Sequence, residues 1–254
     1  NSTTTSSFTC PSKQNNNAFP PHLVPYNSKK KTNIGKQTNC NVIPLVPSAV
    51  FVARNFFTQS ECDAWIAHAE SNIGFEQICS PQTREYAQRE CGRIQITDWD
   101  IAEKLFDKMK DLVEVVSEQV VVSSSKRSYR AVGCNGNIRL YKYEKNMSFG
   151  RHYDGSSRIT RFGEGGNTEI TVLIYLSSCL GGATRFYTPQ QSSSNRGKKG
   201  GKNKSKDGIA FVPEAGSILM HMHGDRCLEH EADPVLQGVK YVLRTDIVYA
   251  NSDS

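Results

Sequence analysis

The sequence predicts a mainly β fold, a sandwich or jelly roll preceded by two helices. Two observations carry that expectation. From Tyr129 onward, at least seven short runs of β-branched and aromatic residues alternate with Gly, Ser, Asn and Pro. Before them stand two segments whose apolar residues recur at helical spacing.

Residues 1–41 come first, rich in Asn, Ser, Thr, Lys and Pro. They hold too few apolar residues to offset the entropy of ordering and are expected to form a disordered arm. The texture changes near Val42, where "VIPLVPSAVFVARNFF" reads as an extended lead-in with a strand at about 49–53. A helix follows with Ser60 as its cap; Cys62, Trp65, Ile66 and Ala69 form its apolar face. The second helix runs from about Ile101 to Val121, capped by Asp98 or Asp100. Ile101, Leu105, Phe106, Met109, Leu112, Val113 and Val116 make its stripe. The strand runs then follow as "NIRLYKYE", "SFGRHYD", "EITVLIYLS", "ATRFY", "GIAFV", "GSILMHM" and "VKYVLRTDIVYA". A polar insertion at 189–208 interrupts them and is expected to loop out. A single domain over 42–250 with a short tail at 251–254 fits the length of 254 residues.

Composition excludes some classes. No apolar run approaches the roughly 18–20 residues of a membrane span. No secretory signal is visible, although a chain beginning at Asn1 is consistent with a processed product. None of the eight cysteines forms a C-x-x-C pair, which argues against a zinc ribbon or a thioredoxin-type motif. Free thiols are expected, with Cys79–Cys91 the one pairing considered, and a soluble protein of the cytoplasm or nucleus is favoured over the secretory pathway. The net charge of +6 is concentrated in "RGKKGGKNKSK" at 196–206. Such a run is usually a solvated loop, and no aromatic residues are interleaved there for stacking on bases.

The chemistry centres on "RHYDG" at 151–155. On a strand, residues i and i+2 share a face, so His152 and Asp154 point together and Tyr153 away. A divalent ion needs a third ligand. His22 lies in the arm and His68 on the first helix, leaving His221, His223 and His230. His230 is the best placed, after "GDRCLEHE" and before the last long strand. Two histidines and a carboxylate leave open positions, an arrangement suited to non-haem Fe(II). His221 and His223 make an H-x-H pair that suggests a rival zinc or cupin-like site; the simpler reading is a pair of hydrogen-bonded strand residues. Lys240 lies ten positions after His230, with Arg244 on the same strand face. A buried cation there needs a partner, and the far carboxylate of a chelating dicarboxylate would supply it. Otherwise Arg244 pairs with Asp246 or another carboxylate and Lys240 faces solvent.

Taken together, "RLYKYEKNMSFGRHYD", "TVLIYLSSCLGGATRFY", "AGSILMH" and "HEADPVLQGVK" resemble the Fe(II)/2-oxoglutarate-dependent dioxygenases of the prolyl 4-hydroxylase-like branch, over about residues 45–250. The resemblance implies a double-stranded β-helix form of the jelly roll, with His152, Asp154 and His230 holding Fe(II). It implies Lys240 as the 2-oxoglutarate anchor, with Arg244 sharing or taking over that contact. Tyr143 and Tyr175 match tyrosines near the cosubstrate, and Thr184, in "GGATRF", is expected to face it. It further implies O2 as cosubstrate, ascorbate as reductant, and a proline-containing peptide or protein as substrate. Residues 80–93 could form a lid, with Arg84 or Arg93 meeting substrate. The competing functions are a non-catalytic jelly-roll binding module and, prompted by the basic run, an oxidative nucleic-acid demethylase. Oligomeric state is not legible.

Overall fold

Short strands separated by turn residues dominate the second half of the sequence, and the computed structural model, which describes residues 19–24, 41–119, 129–162, 166–189 and 208–251, is built mostly of strands. In chain order these are β1 (Ile43–Val46), β2 (Val50–Ala53), helix α1 (Gln59–His68), β3 (Glu76–Ser80), β4 (Arg89–Thr97) and helix α2 (Trp99–Gln119). Then come β5 (Tyr129–Cys134), β6 (Asn137–Tyr143), β7 (Phe149–His152), β8 (Asn167–Tyr175), β9 (Leu180–Gly181) and β10 (Thr184–Tyr187). The chain finishes with β11 (Ile209–Phe211), β12 (Ile218–Met222), β13 (Glu229–Ala232), β14 (Val235–Gln237) and β15 (Lys240–Asn251).

The main sheet follows the order β1-β2-β12-β8-β15-β6-β4-β7-β13-β10-β11, with β3 added to β4 and β5 to β15. Its strand pairs are antiparallel, and its two end strands, β1 and β11, come into contact. The result is a nearly closed jelly roll in which strands far apart in sequence lie side by side. One apolar layer joins the helices to the sheet's outer face, with Trp65, Leu105, Met109, Ile138, Leu140 and Leu243 all buried. Inside the roll, Val50, Tyr175, Phe186, Leu219 and Val242 form a smaller cluster beside the site.

Both helices occur where their periodicity places them. The cap of α1 is Thr58 rather than Ser60. Thr58 Oγ1 accepts from the Glu61 N–H at 3.2 Å while a Glu61 carboxylate oxygen accepts from the Thr58 N–H at 2.7 Å. This reciprocal box satisfies two donors, whereas Ser60 already lies in the first turn. At α2 the Asp98 carboxylate accepts from the Ile101 N–H at 3.0 Å. Val121 lies outside the described residues.

The arm expected over 1–41 is not uniformly apart from the fold. "FPPHLV" at 19–24 packs on it, with Phe19, Leu23 and Val24 buried. The Phe19 ring centroid is 5.0 Å from that of Trp65, and its N–H donates to Asp98 Oδ2 at 2.7 Å. Averaging composition over the whole polar stretch hides this short apolar anchor. Residues 1–18 and 25–40, the 196–206 basic run and the tail from 252 lie outside the described residues.

Cys79 and Cys91 sit on adjacent strands, but the register sets Cys79 opposite Glu90 and Cys91 opposite Ile78. Cys79 is exposed and Cys91 buried, so their side chains occupy opposite faces and both are free thiols, as are Cys62, Cys134, Cys179 and Cys227. Among the described residues no helix is long and apolar enough to cross a membrane.

Candidate metal centre and cosubstrate pocket

Pairing of β7 with β13 sets His152 directly opposite His230. The two ring centroids are 4.2 Å apart. Asp154 follows just beyond the end of β7 and turns its carboxylate toward both rings, while Tyr153 points outward. His152 Nε2 lies 3.8 Å from Asp154 Oδ1, and His230 Nε2 lies 3.7 Å from Oδ2. The three potential donor atoms are all within 4.8 Å of one another.

The remaining ring nitrogens are committed. His152 Nδ1 lies 2.8 Å from the Gly150 carbonyl, and His230 Nδ1 lies 2.9 Å from the Leu228 carbonyl. A carbonyl only accepts, so each Nδ1 carries the proton and each Nε2 presents a lone pair. Burial pushes the His152 imidazole down to about 3, with His230 beside it adding to the effect. Burial also lowers His230. For Asp154, burial opposes ionisation, but the Arg244 guanidinium works against it, and the carboxyl is held well below the usual range. Two neutral imidazoles and one carboxylate are a donor set that fits non-haem Fe(II) with coordination positions to spare.

One carboxylate oxygen is already occupied. Asp154 Oδ2 accepts from Thr171 Oγ1 at 2.8 Å and pairs with Arg244 Nη2 at 2.9 Å. That leaves Oδ1 as the oxygen available to an ion. Arg244 is also 3.4 Å from Asp246 Oδ1, and Asp246 pairs in turn with Arg139 at 2.7 Å. Burial works against its charge, yet Asp154 and Asp246 raise its pKa. Arg244 thus has carboxylate partners within the protein, as the alternative ion-pair reading expects. A buried guanidinium finds its partners nearby, and the nearest is the metal-side aspartate.

Lys240 differs. It is 2% exposed rather than solvent-facing. Nζ donates to the Gly182 carbonyl at 2.7 Å and lies 3.4 Å from Thr184 Oγ1, between the rings of Tyr143 and Tyr175 at 5.4 and 5.6 Å. Among the described residues no carboxylate lies within ion-pair distance of it. Burial lowers its pKa to about 8. The carbonyl it uses exists because Gly181 and Gly182 both take positive φ, +77° and +63°. A Cβ on Gly181 would stand 2.6 Å from the Pro234 carbonyl, so the turn in "GGAT" needs glycine.

His152, Asp154, His230, Lys240, Tyr143, Thr184 and Arg244 all line one cavity. Tyr175 does not reach its wall; its hydroxyl donates to Thr184 Oγ1 at 2.8 Å from behind. Arg84 is exposed and, like Arg93, is not among the lining residues. The arginine of that segment which does line the cavity is Arg89, its guanidinium 3.7 Å above the Phe149 ring. Alternation on β4 puts Arg89 and Arg93 on one face; only the pairing of β4 with β7 at Arg89–Phe149 tells them apart.

The H-x-H pair divides. His223 is hydrogen-bonded, to Thr171 Oγ1 at 2.6 Å and to the Thr168 carbonyl at 3.1 Å. His221 is buried with neither ring nitrogen hydrogen-bonded, and it lines the cavity.

Residues 138–245 match the model of the 2OG-Fe(II) oxygenase superfamily. That segment contains the three candidate ligands and Lys240. No curated protein matches. Among solved structures, a Pseudomonas putida prolyl-4-hydroxylase is 13% identical, over 80% of this chain and 94% of that one, at a TM-score of 0.51. A Trichoplax adhaerens prolyl hydroxylase, solved with a hypoxia inducible factor oxygen degradation domain peptide fragment, is 15% identical over 80% and 85%, at 0.50. A viral collagen prolyl hydroxylase from Paramecium Bursaria Chlorella virus-1 is 16% identical over 79% and 96%, at 0.49.

The candidate donor set lies inside the segment that matches the 2OG-Fe(II) oxygenase model. The chain's fold is like that of the Pseudomonas putida and Trichoplax adhaerens prolyl hydroxylases. Fe(II), 2-oxoglutarate and O2 are the cofactors the family implies.

Proposed function

We propose that the protein hydroxylates a prolyl residue of a peptide or protein, converting 2-oxoglutarate and O2 to succinate and CO2 as one oxygen atom enters the C–H bond. The observation that supports this best is a single cavity holding two neutral imidazoles, one ionised carboxylate and, on the same wall, a buried lysine with no carboxylate partner among the described residues. His152, Asp154 and His230 hold Fe(II), which together with 2-oxoglutarate supplies the oxidising chemistry. Lys240 meets the C5 carboxylate through a charge-assisted hydrogen bond. Thr184 offers that carboxylate a hydroxyl, and Tyr175 fixes the hydroxyl's direction. Tyr143 closes the pocket beside Lys240. Arg244 and Thr171 hold Asp154 so that Oδ1 faces the ion.

The choice of proline draws on the likeness of fold to the Pseudomonas putida and Trichoplax adhaerens prolyl hydroxylases. Arg89 stacked on Phe149 gives the cavity rim a flat cationic surface that suits an extended peptide. Ascorbate is the reductant proposed to keep the iron ferrous.

The test is a succinate-release assay with Fe(II), ascorbate and paired peptides differing only by Pro→Ala, read also by mass spectrometry. The expected result is succinate formation and one added oxygen on the proline-containing member alone. Oxygen added equally to both peptides overturns the proline assignment. Iron-loaded protein that makes no succinate with any substrate overturns the proposed residue roles.

A further inference from the structure

We infer that the protein carries a second metal site, made by His221, Cys227 and His230, that takes a thiophilic ion of the Zn(II) type and shares His230 with the iron site. The donor atoms of these three buried residues lie within 4.8 Å of one another. A tetrahedral zinc site sets its N and S donors about 3.4 Å apart, so the cluster needs to contract by no more than about 1.4 Å.

His221 gives the independent reason to expect a ligand. Its side chain is 2% exposed and neither ring nitrogen makes a hydrogen bond. A buried imidazole without partners is costly, and native folds rarely retain one unless something else satisfies it. Its centroid is 4.5 Å from that of His230, and its Nε2 is 3.4 Å from Asp154 Oδ2, at the edge of the same cluster. Cys227 is only weakly engaged. Its sulfur makes a long contact to the Leu228 carbonyl, at 3.6 Å, and accepts the Asp154 N–H at 3.2 Å. On binding, the thiol proton leaves to solvent and a metal–sulfur bond forms, with no change of oxidation state.

The two sites differ in softness. Two imidazoles and a carboxylate accept Fe(II) and other divalent ions alike, whereas the set that includes a thiolate adds a preference for Zn(II) or Cu(I). They also compete. His230 Nδ1 is engaged with the Leu228 carbonyl, so Nε2 alone is free to ligate and cannot serve two ions. A thiophilic ion in this site takes a ligand from the iron site and inhibits the enzyme. The competition rests on the iron reading of His152, Asp154 and His230; the thiolate site does not.

The experiment uses the full chain stripped of metal. Zn(II) affinity is measured by chelator competition, Mn(II) affinity separately as a stand-in for Fe(II), and Co(II) binding by near-ultraviolet absorption. In the unmodified protein Co(II) should give a thiolate-to-metal charge-transfer band that Cys227→Ser abolishes. Cys227→Ser and His221→Gln should each weaken Zn(II) at least about tenfold, and His152→Ala should leave it within about twofold. Absence of the band, or loss of Zn(II) affinity in His152→Ala but not in Cys227→Ser, overturns the site. Circular dichroism checks the folding of each variant, and the nearly isosteric Cys227→Ser carries the test if His221→Gln does not fold. Mn(II) affinity indifferent to His152→Ala counts against the iron reading alone.

Discussion

Arg244 Nη2 stands 2.9 Å from Asp154 Oδ2, so the cation of the last long strand already has a carboxylate partner within the protein. Thr171 holds the same oxygen at 2.8 Å. Partners of this kind orient a ligand and typically contribute 10–100-fold in metal affinity. Arg244→Met should therefore weaken Fe(II) or Mn(II) binding by about 10–100-fold. It should change the 2-oxoglutarate KM less than Lys240→Ala does. Metal titration and a 2-oxoglutarate series on both variants check the ranking; the reverse order moves the cosubstrate anchor to Arg244.

Lys240 should show the complementary pattern. A charge-assisted hydrogen bond contributes about 1.5–3 kcal/mol, so Lys240→Ala should raise the 2-oxoglutarate KM by about 10–100-fold while metal affinity stays near that of the unmodified protein. The lysine's pKa is lowered by burial to about 8, so its charge is present below that pH and lost as pH rises through it. The kcat/KM for 2-oxoglutarate, which reports groups on the free enzyme, should fall above about pH 8. Lys240→Arg keeps a cation throughout and should remove that alkaline limb. A limb that persists unchanged assigns it to another group.

The metal ligands predict behaviour on the acid side. Burial holds His152 down to about 3, so it stays neutral where an ordinary histidine protonates near 6.5, and burial shifts His230 in the same direction. Asp154 stays ionised over the same range. Metal binding loses affinity in acid only when protons compete for the ligands. Mn(II) affinity should therefore change little between about pH 7.5 and about pH 5.5. A pair of ordinary histidines would lose affinity steeply there. Asp154→Ala should abolish both metal binding and 2-oxoglutarate turnover, and turnover retained with normal metal content removes Asp154 from the ligand set.

How much of this is legible in the sequence follows from the range of each signal. Alternation along one strand is local, and it is enough to place His152 with Asp154 and to sort Lys240 and Arg244 onto one face. Ligand convergence depends on β7 lying against β13, a pairing across 76 intervening positions that no local pattern encodes. The family resemblance supplies it. Neither route distinguishes Arg89 from Arg93, because both share a face of β4 and differ only in which strand lies opposite. Arg244 was ambiguous for a similar reason: which carboxylate it meets is decided by β8 and β15 bringing Thr171 and Asp246 alongside Asp154. His221 gives no sequence signal beyond H-x-H. Its lack of hydrogen bonds, against the two made by His223, is visible only in three dimensions.

Phe19 tests where the fold begins. Composition places it in a polar arm, yet its side chain is 2% exposed, packed on Trp65 of α1, and its N–H donates to the Asp98 carboxylate that also caps α2. One short segment thus ties the two helices together through a ring and a single backbone donor. Truncating a buried phenylalanine costs about 3–5 kcal/mol when it belongs to the core. Phe19→Ala should therefore lower the thermal midpoint by several degrees, at the rate of about 2–4 °C per kcal/mol for a domain of this size. Asp98→Ala should be destabilising through two routes, the lost cap and the unpaired Phe19 N–H. Because Phe19 and Asp98 share one contact, their effects should not add, and the double variant should be less destabilised than the sum of the two singles. Neither site lines the cavity, so metal affinity measured well below the midpoint should be unchanged. An unaltered midpoint in Phe19→Ala would return residues 19–24 to the arm.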